Sequence, residues 1–220
     1  VNGNASVEAY GAGNVEVTAE ELGDLLAETL QKEFDLPDIH VYGDEVRVTA
    51  FERATYAVRS AVSQFSRNKA SPCGDYVDSF VDGRGFYYAI LSDGMGTGSR
   101  AKIDSAFACS FMIRLLQAGA SPVAAAQLLN NSLLVKSADE SFATLDICRI
   151  DLYTGKVDLF KAGAAPTYVK SGKKIVKIDG GGLPVGISFT SSCETNSFHI
   201  NEGDMIIMTS DGAELSKQWL

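Results

Sequence analysis

Proline, histidine and cysteine are sparse here: five, two and four among 220 residues, with a single tryptophan. The cysteines, Cys73, Cys109, Cys148 and Cys193, form no CxxC pair and have no neighbouring histidine, which excludes a thiolate zinc site and a dense disulfide framework. Reduced, mostly buried thiols of a cytosolic protein are the expectation that remains. His40 and His199 lie in strand-like segments without a partnered nucleophile, so a Ser-His-Asp mechanism is not expected. Positive charge is also short. With 28 Asp plus Glu against 19 Lys plus Arg, the net charge is -9, and no basic run offers a stripe for nucleic-acid phosphates. No apolar stretch approaches the roughly 18 residues that a bilayer crossing requires, and no signal peptide precedes the first charges.

What is present is a substantial apolar fraction, 45%, with 21% charged residues, enough for one large domain or a domain with an N-terminal appendage. The segment "TAEELGDLLAETLQKEF" opens with Thr18 and Glu21 in capping-box spacing and repeats Leu22, Leu25, Leu26, Leu30 and Phe34 at helical intervals. Pro37 ends that helix, and "IHVYG" and "EVRVTAF" read as short strands around Asp44. Residues 1–54 are therefore expected to form a small helix-strand unit or the leading part of the domain that follows over 55–220.

From Thr55 the alternation in "TYAVRSAVSQF" predicts a strand, followed by "DYVDSFV", the turn "DGRG" and "FYYAILSD". Asp82-Gly83 between apolar runs is a hairpin signal, which sets Asp75 and Asp93 at the far ends of two antiparallel strands and makes them spatial neighbours. Ile103, Ala106, Phe107, Ser110, Phe111 and Leu115 then mark one face of a helix closing at Gly119. Ser121 and Pro122 cap and begin a second helix through Leu133. Short strands follow in "FATLDICRIDL", "GKVDLFKAG", "PTYVKSG", "KIVKI", "SFHI" and "DMIIMTSD", and a new helix is expected to start in "AELSKQWL". Strands bundled around paired helices predict a layered α+β sandwich.

One echo carries chemistry. "AILSDGMG" and "IIMTSDGAEL" each place Ser-Asp-Gly directly after an apolar strand, so Asp75, Asp93 and Asp211 can converge on one sheet edge. Like charges so close repel unless cations lie between them. Oxygen ligands without His or Cys suit Mg²⁺ or Mn²⁺, and a glycine after the aspartate lets its carbonyl turn inward as a further ligand. Two such metals would clamp a phosphoryl group for in-line attack, which predicts a metal-dependent phosphate-ester hydrolase. Asp-Gly is also a common turn dipeptide, and spacing alone leaves plain turns and metal-binding acids side by side. A nucleotide-binding loop fits less well: "GMGTGS" has the glycine spacing GxGxG, the Walker lysine is absent and Asp93 would repel a phosphate. Cys73 beside Asp75 sits among acids, where a thiolate nucleophile is disfavoured.

In order, "CGDYVDSF", "AILSDGMGTGSRA", "ATLDICRIDLYTG", "KAGAAPTYVKSG", "LPVGI" and "GDMIIMTSDG" resemble the phosphatase domain of the stage II sporulation protein E family, a bacterial branch of the PP2C-like (PPM) serine phosphatases. The resemblance covers residues 55–215; before that, only the helix-then-strand pattern is similar. It implies a four-layer αββα sandwich, two antiparallel sheets flanked by helix pairs. It implies hydrolysis of phosphoserine with two Mn²⁺ or Mg²⁺ ions, a metal-bridged water attacking phosphorus without a phosphoenzyme. The implied substrate is a phosphorylated anti-sigma factor antagonist whose dephosphorylation activates a sporulation sigma factor. By motif match Asp75, Asp93 and Asp211 are the implied metal ligands, with the Gly94 carbonyl, and Gly96 and Gly98 belong to a regulatory loop leading into helices linked to homodimerisation. A cytoplasmic location is implied, in a protein whose full-length relatives carry upstream membrane segments. The family's further metal-binding aspartate falls beyond Leu220, so the resemblance also implies an incomplete ligand set and low activity for this chain. The alternative is a non-catalytic pseudophosphatase that binds its partner without turnover.

Overall fold

The structure is a computed structural model and describes residues 5–13, 16–66, 73–96, 98–136, 142–189 and 193–212. The chain divides into two compact units, Val1–Thr55 and Tyr56–Leu220. In the first, strand β1 (Ser6–Ala12) pairs antiparallel with β3 (Glu45–Phe51), whose other edge takes β2 (Asp38–Tyr42). Helix α1 (Ala19–Leu30) carries the expected capping box: the Glu21 amide donates to Thr18 Oγ1 and the Thr18 amide donates to Glu21 Oε2. None of the residues of α1 is buried.

The second unit begins with a difference from the alternation pattern. Residues 55–65 form no strand, because alternation specifies faces but supplies no partner: the Tyr56 amide donates to the Leu152 carbonyl, and the Gln64 side chain donates to the Asp75 carbonyl. The sheet itself opens with the hairpin β4 (Asp75–Val81) and β5 (Phe86–Asp93), turned at Asp82-Gly83. Asp82 Oδ1 accepts from the amides of Arg84 and Phe86, which holds that turn closed. Strands β6 (Leu145–Asp151), β7 (Lys156–Ala162) and β10 (Glu194–His199) complete a five-stranded antiparallel sheet in the order β10-β7-β6-β5-β4. A three-stranded antiparallel sheet, β11-β8-β9, is formed by β8 (Thr167–Ser171), β9 (Lys174–Ile178) and β11 (Met205–Met208).

Two helices cover one face of the large sheet. Helix α2 (Ser99–Gln117) and α3 (Pro122–Lys136) pack Met112, Leu116, Leu129 and Leu133 against Tyr88, Ile90, Leu145, Ile147 and Phe160 in a single apolar core. Strand alternation puts those sheet residues on one face and Ala89, Leu91, Asp93, Asp146, Cys148 and Lys161 on the other. The buried face of α2 differs from the one the apolar spacing marked: it consists of Ala101, Asp104, Ser105, Ala108, Cys109, Met112 and Leu116, while Ile103 is exposed. Small residues win because the helix lies close to the strand ends, where Ser105 Oγ donates to the Gly74 carbonyl at 2.6 Å. Phe107, Phe111 and Leu115 flank this core half-buried. For α3, Ser121 Oγ accepts from the Ala124 amide, as the expected cap does.

The architecture is thus α+β, with layered antiparallel sheets and a helix pair on the outer face of one of them. Among the described residues no helix is long and apolar enough to cross a membrane. The helix expected in "AELSKQWL" lies outside the described residues. The four cysteines are free, and burial pushes the Cys109 thiol up to about 12 and the Cys193 thiol to about 11. Leu129, fully buried between α3 and the sheet, tests the packing: Leu129→Ala is expected to lower stability by about 2 to 5 kcal/mol in denaturant unfolding, with α2 and α3 retained by circular dichroism.

Candidate active site

The hairpin register sets Asp75 directly opposite Asp93. Each carboxylate leaves the last or first position of its strand, on the face turned away from the helices. Backbone and side-chain contacts lock this corner. Thr144, just before β6, accepts from the Asp93 amide through Oγ1 at 2.9 Å and donates its own amide to the Asp93 carbonyl at 2.8 Å. Ser92 Oγ, on the opposite face, donates to the Thr144 carbonyl at 2.7 Å. Asp93 is thereby held from both sides of the strand end.

Asp211 arrives from the other sheet, three residues past the end of β11. Thr209 Oγ1 donates to the Pro166 carbonyl, which stops the chain from fraying after Met208, and Ser210 Oγ donates to Asp75 Oδ2 at 2.8 Å. That bond, across 135 residues of sequence, ties the end of the small sheet to the first strand of the large one. Asp75 and Asp211 are the charged neighbours that act on Asp93. Burial, and then the neighbouring carboxylates of Asp75 and Asp211, pushes the Asp93 carboxyl up from 3.8 to about 7.

Gly94 is required by packing. A side chain on it would run into the backbone of Ala101, in the first turn of α2, so the helix start rests on the strand end. A Cβ on Gly74 would sit 3.5 Å from Asp93 Oδ1 and 3.6 Å from the Gly94 carbonyl oxygen, so these two oxygens border one space. Gly96 and Gly98 take positive φ, 95° and 82°, between the strand end and α2. Leu91, Asp93, Met95, Thr144, Asp146, Pro184, Ser210 and Asp211 are among the residues lining a pocket of about 110 Å³. Its wall is mainly apolar and its polar groups are acidic or hydroxylic.

The arrangement can concentrate oxygen donors of one charge. Among the described residues no cationic side chain lines the pocket, so its lining disfavours an anion. Among the described residues no three His, Cys, Asp or Glu side chains close into a ligating group as the side chains stand. Sequence reasoning missed Thr144, Ser210 and Gln64. Thr144 precedes a strand in "FATL" and Ser210 sits in the repeated Ser-Asp-Gly, but neither hydroxyl's partner can be named from spacing.

Two sheets, a helix pair on the outer face, and acids gathered where strands of both sheets end define a PP2C-type phosphatase domain. The structure of the PP2C phosphatase domain and a fragment of the regulatory domain of SpoIIE from Bacillus subtilis matches all of this chain and 67% of that one, with a TM-score of 0.73 and 25% identity. The RsbX structure in complex with magnesium shares the fold at a TM-score of 0.55 and 20% identity, over 66% of this chain and 69% of that one.

The chain belongs to the stage II sporulation protein E (SpoIIE) family, whose sequence model matches residues 83–214. It is 32% identical over 157 residues to stage II sporulation protein E of Priestia megaterium, covering 71% of this chain and 27% of that protein. It is 29% identical over 196 residues to the Bacillus subtilis (strain 168) protein, covering 89% of this chain and 24% of that one. The chain therefore spans about a quarter of the length of these curated relatives.

The raised Asp93 carboxyl predicts a pH signature in the metal-free protein. Its folded value lies above the unfolded one, so its stabilising share is full below about 4 and is lost as pH rises through about 7. Asp93→Asn removes the penalty. Thermal melts in the absence of divalent cations are expected to show little difference between variant and parent at pH 4, and a higher Tm for the variant at pH 8.

Proposed function

We propose that this chain is the catalytic domain of a metal-dependent protein-serine phosphatase. The observation that supports it best is the Asp75, Asp93 and Asp211 cluster, three carboxylates from two sheets, one of which is raised to about 7 by burial and then by the charges of the other two. A divalent cation removes that repulsion, and an all-oxygen donor set is what Mg²⁺ or Mn²⁺ takes. The donor set thus fits: Asp75, Asp93, Asp211 and the Gly94 carbonyl would hold the ions. RsbX, which shares the fold, is known in complex with magnesium. When bound, two such ions supply Lewis-acid stabilisation of a phosphoryl group and an activated water for direct displacement.

The chain's own residues do the positioning. Ser210 orients Asp75 by donating to Oδ2, and the paired Thr144 contacts hold the backbone that aims Asp93. Leu91, Met95, Ala164, Ala165 and Pro184 give the pocket a mainly apolar wall, and low polarity there strengthens the charge interactions beside it. The acidic lining rejects a phosphate ester until cations are in place, so substrate binding is conditional on metal. Gly96 and Gly98, in left-handed conformations, give the loop into α2 the freedom to alter how the helix start bears on Gly94.

The substrate proposed is a phosphoserine on a bacterial signalling protein, specifically a phosphorylated anti-sigma factor antagonist; membership of the sporulation family supports this. A partner-binding module without turnover is the second reading, favoured by the absence, among the described residues, of a closed three-ligand group. Phosphate release from a phosphoserine protein separates the two. The phosphatase reading expects Mn²⁺-dependent release, abolished by chelation, and a drop of about a hundredfold or more in Asp93→Asn and Asp211→Asn. Parental rates in both variants would sink the assignment, and partner binding without any release would establish the second reading.

A further inference from the structure

Beneath the acidic pocket lies a buried ion pair that the proposed chemistry does not use. Lys161 is fully buried, and its Nζ donates to Asp146 Oδ2 at 2.5 Å and to Thr167 Oγ1 at 2.8 Å. Thr167 Oγ1 in turn donates to Asp146 Oδ2 at 3.1 Å. Asp146 and Lys161 are register partners on β6 and β7, and Asp146 is opposite Leu91, two residues before Asp93. Period-two alternation therefore places Asp93, Asp146 and Lys161 on the same face of the large sheet. Thr167 belongs to the small sheet, where it pairs with Met208, three residues before Asp211.

This cluster is costly to bury. Taking an ammonium and a carboxylate out of water is seldom repaid by their attraction alone, and apolar replacements of similar volume are often as stable. Two further details show how closely the fold is built around it. A side chain on Gly180 would run into the Ala164 carbonyl and sit 3.1 Å from Lys161 Cε, so bare backbone crosses over the lysine stem. Among the described residues Asp146 Oδ1 is buried without a hydrogen-bond partner, and Asp146 lines the same pocket as Asp93 and Asp211. An unpaired buried carboxylate oxygen beside an acidic pocket has no structural benefit of its own. Its free acceptor is suited to a donor brought in by the pocket's occupant, such as water hydrating a cation.

We infer that Asp146, Lys161 and Thr167 are positioning residues of the acidic site. They pin the sheet that delivers Asp211 to the sheet that delivers Asp75 and Asp93, and they leave Asp146 Oδ1 facing the hydration of a bound divalent cation. This inference rests on the metal-binding reading of the three aspartates.

The test is Mn²⁺ titration of the metal-free chain, with free Mn²⁺ read by electron paramagnetic resonance and stability followed separately by thermal melting. Four variants are compared: Asp146→Asn/Lys161→Met, Thr167→Val, Thr167→Ser and Asp93→Asn. The double variant removes both buried charges together, so it is expected to melt near the parent while binding Mn²⁺ about tenfold or more weakly. Thr167→Val keeps the ion pair but cuts the tie to the small sheet, and is expected to weaken Mn²⁺ binding likewise, whereas Thr167→Ser retains parental affinity. Parental Mn²⁺ affinity in Thr167→Val, or in a folded double variant, would overturn the inference and leave the cluster a purely structural one. If the double variant does not fold, Thr167→Val against Thr167→Ser decides alone. Parental affinity in Asp93→Asn would instead overturn the metal assignment itself, and the inference with it.

Discussion

Two carboxylates facing each other across an antiparallel pair are the constraint around which the catalytic-type unit is arranged. Asp75 and Asp93 are register partners, and Asp211 adds a third negative charge from a different sheet. Left to electrostatics the corner would open. It stays closed because neutral donors and backbone contacts pin Asp75 and Asp93: Ser210 and Gln64 on Asp75, and Thr144 on the Asp93 backbone. None of these contacts neutralises charge. Burial, and then the neighbouring carboxylates, pushes the Asp93 carboxyl up to about 7, and a hard cation relieves that penalty on the charged form.

The large sheet separates its two duties by face. Toward the helices it is apolar, with Tyr88, Ile90, Leu145, Ile147 and Phe160 under Met112, Leu116, Leu129 and Leu133. Toward the small sheet it carries Asp93, Asp146 and Lys161 along adjoining positions. Such a division is available only to a sheet covered on both sides, because an inward-facing charge needs either water or a partner and here only a partner is at hand. Lys161 is that partner, and its reach to Thr167 makes the charged layer a joint between sheets. The helix layer meets the site through backbone at Gly94 and Ala101, which is why the small residues Ala101 and Ser105 stand on the buried face of α2 near its start.

The chain's membership of the sporulation phosphatase family gives these features a common purpose. In the metal-binding reading proposed for this site, the protein's contribution is to hold acids where repulsion would part them. The buried Asp146 oxygen, the apolar pocket wall and the glycine-lined approach to α2 are consistent with that division of labour.

Much of this was legible without coordinates. Turn chemistry at Asp82-Gly83 settled the hairpin, and with it the opposition of Asp75 and Asp93, because a tight antiparallel turn leaves only one register for strands of that length. The repeated Ser-Asp-Gly marked both loops, and Ser121-Pro122 marked the start of α3. Where alternation had no partner to pair with, at 55–65, the same reasoning produced a strand that the chain does not form. On α2 the large apolar residues drew attention away from the small ones that make the closest contact. The ion pair between Asp146 and Lys161, its third member Thr167, and the bond from Ser210 to Asp75 depend on side chains meeting across sheets, a distance that no local spacing encodes. Local sequence determined which strands end in acids; only the packing of one sheet on another decided that those acids would meet, because burial and charge pairing are properties of faces brought together and not of the segments that form them.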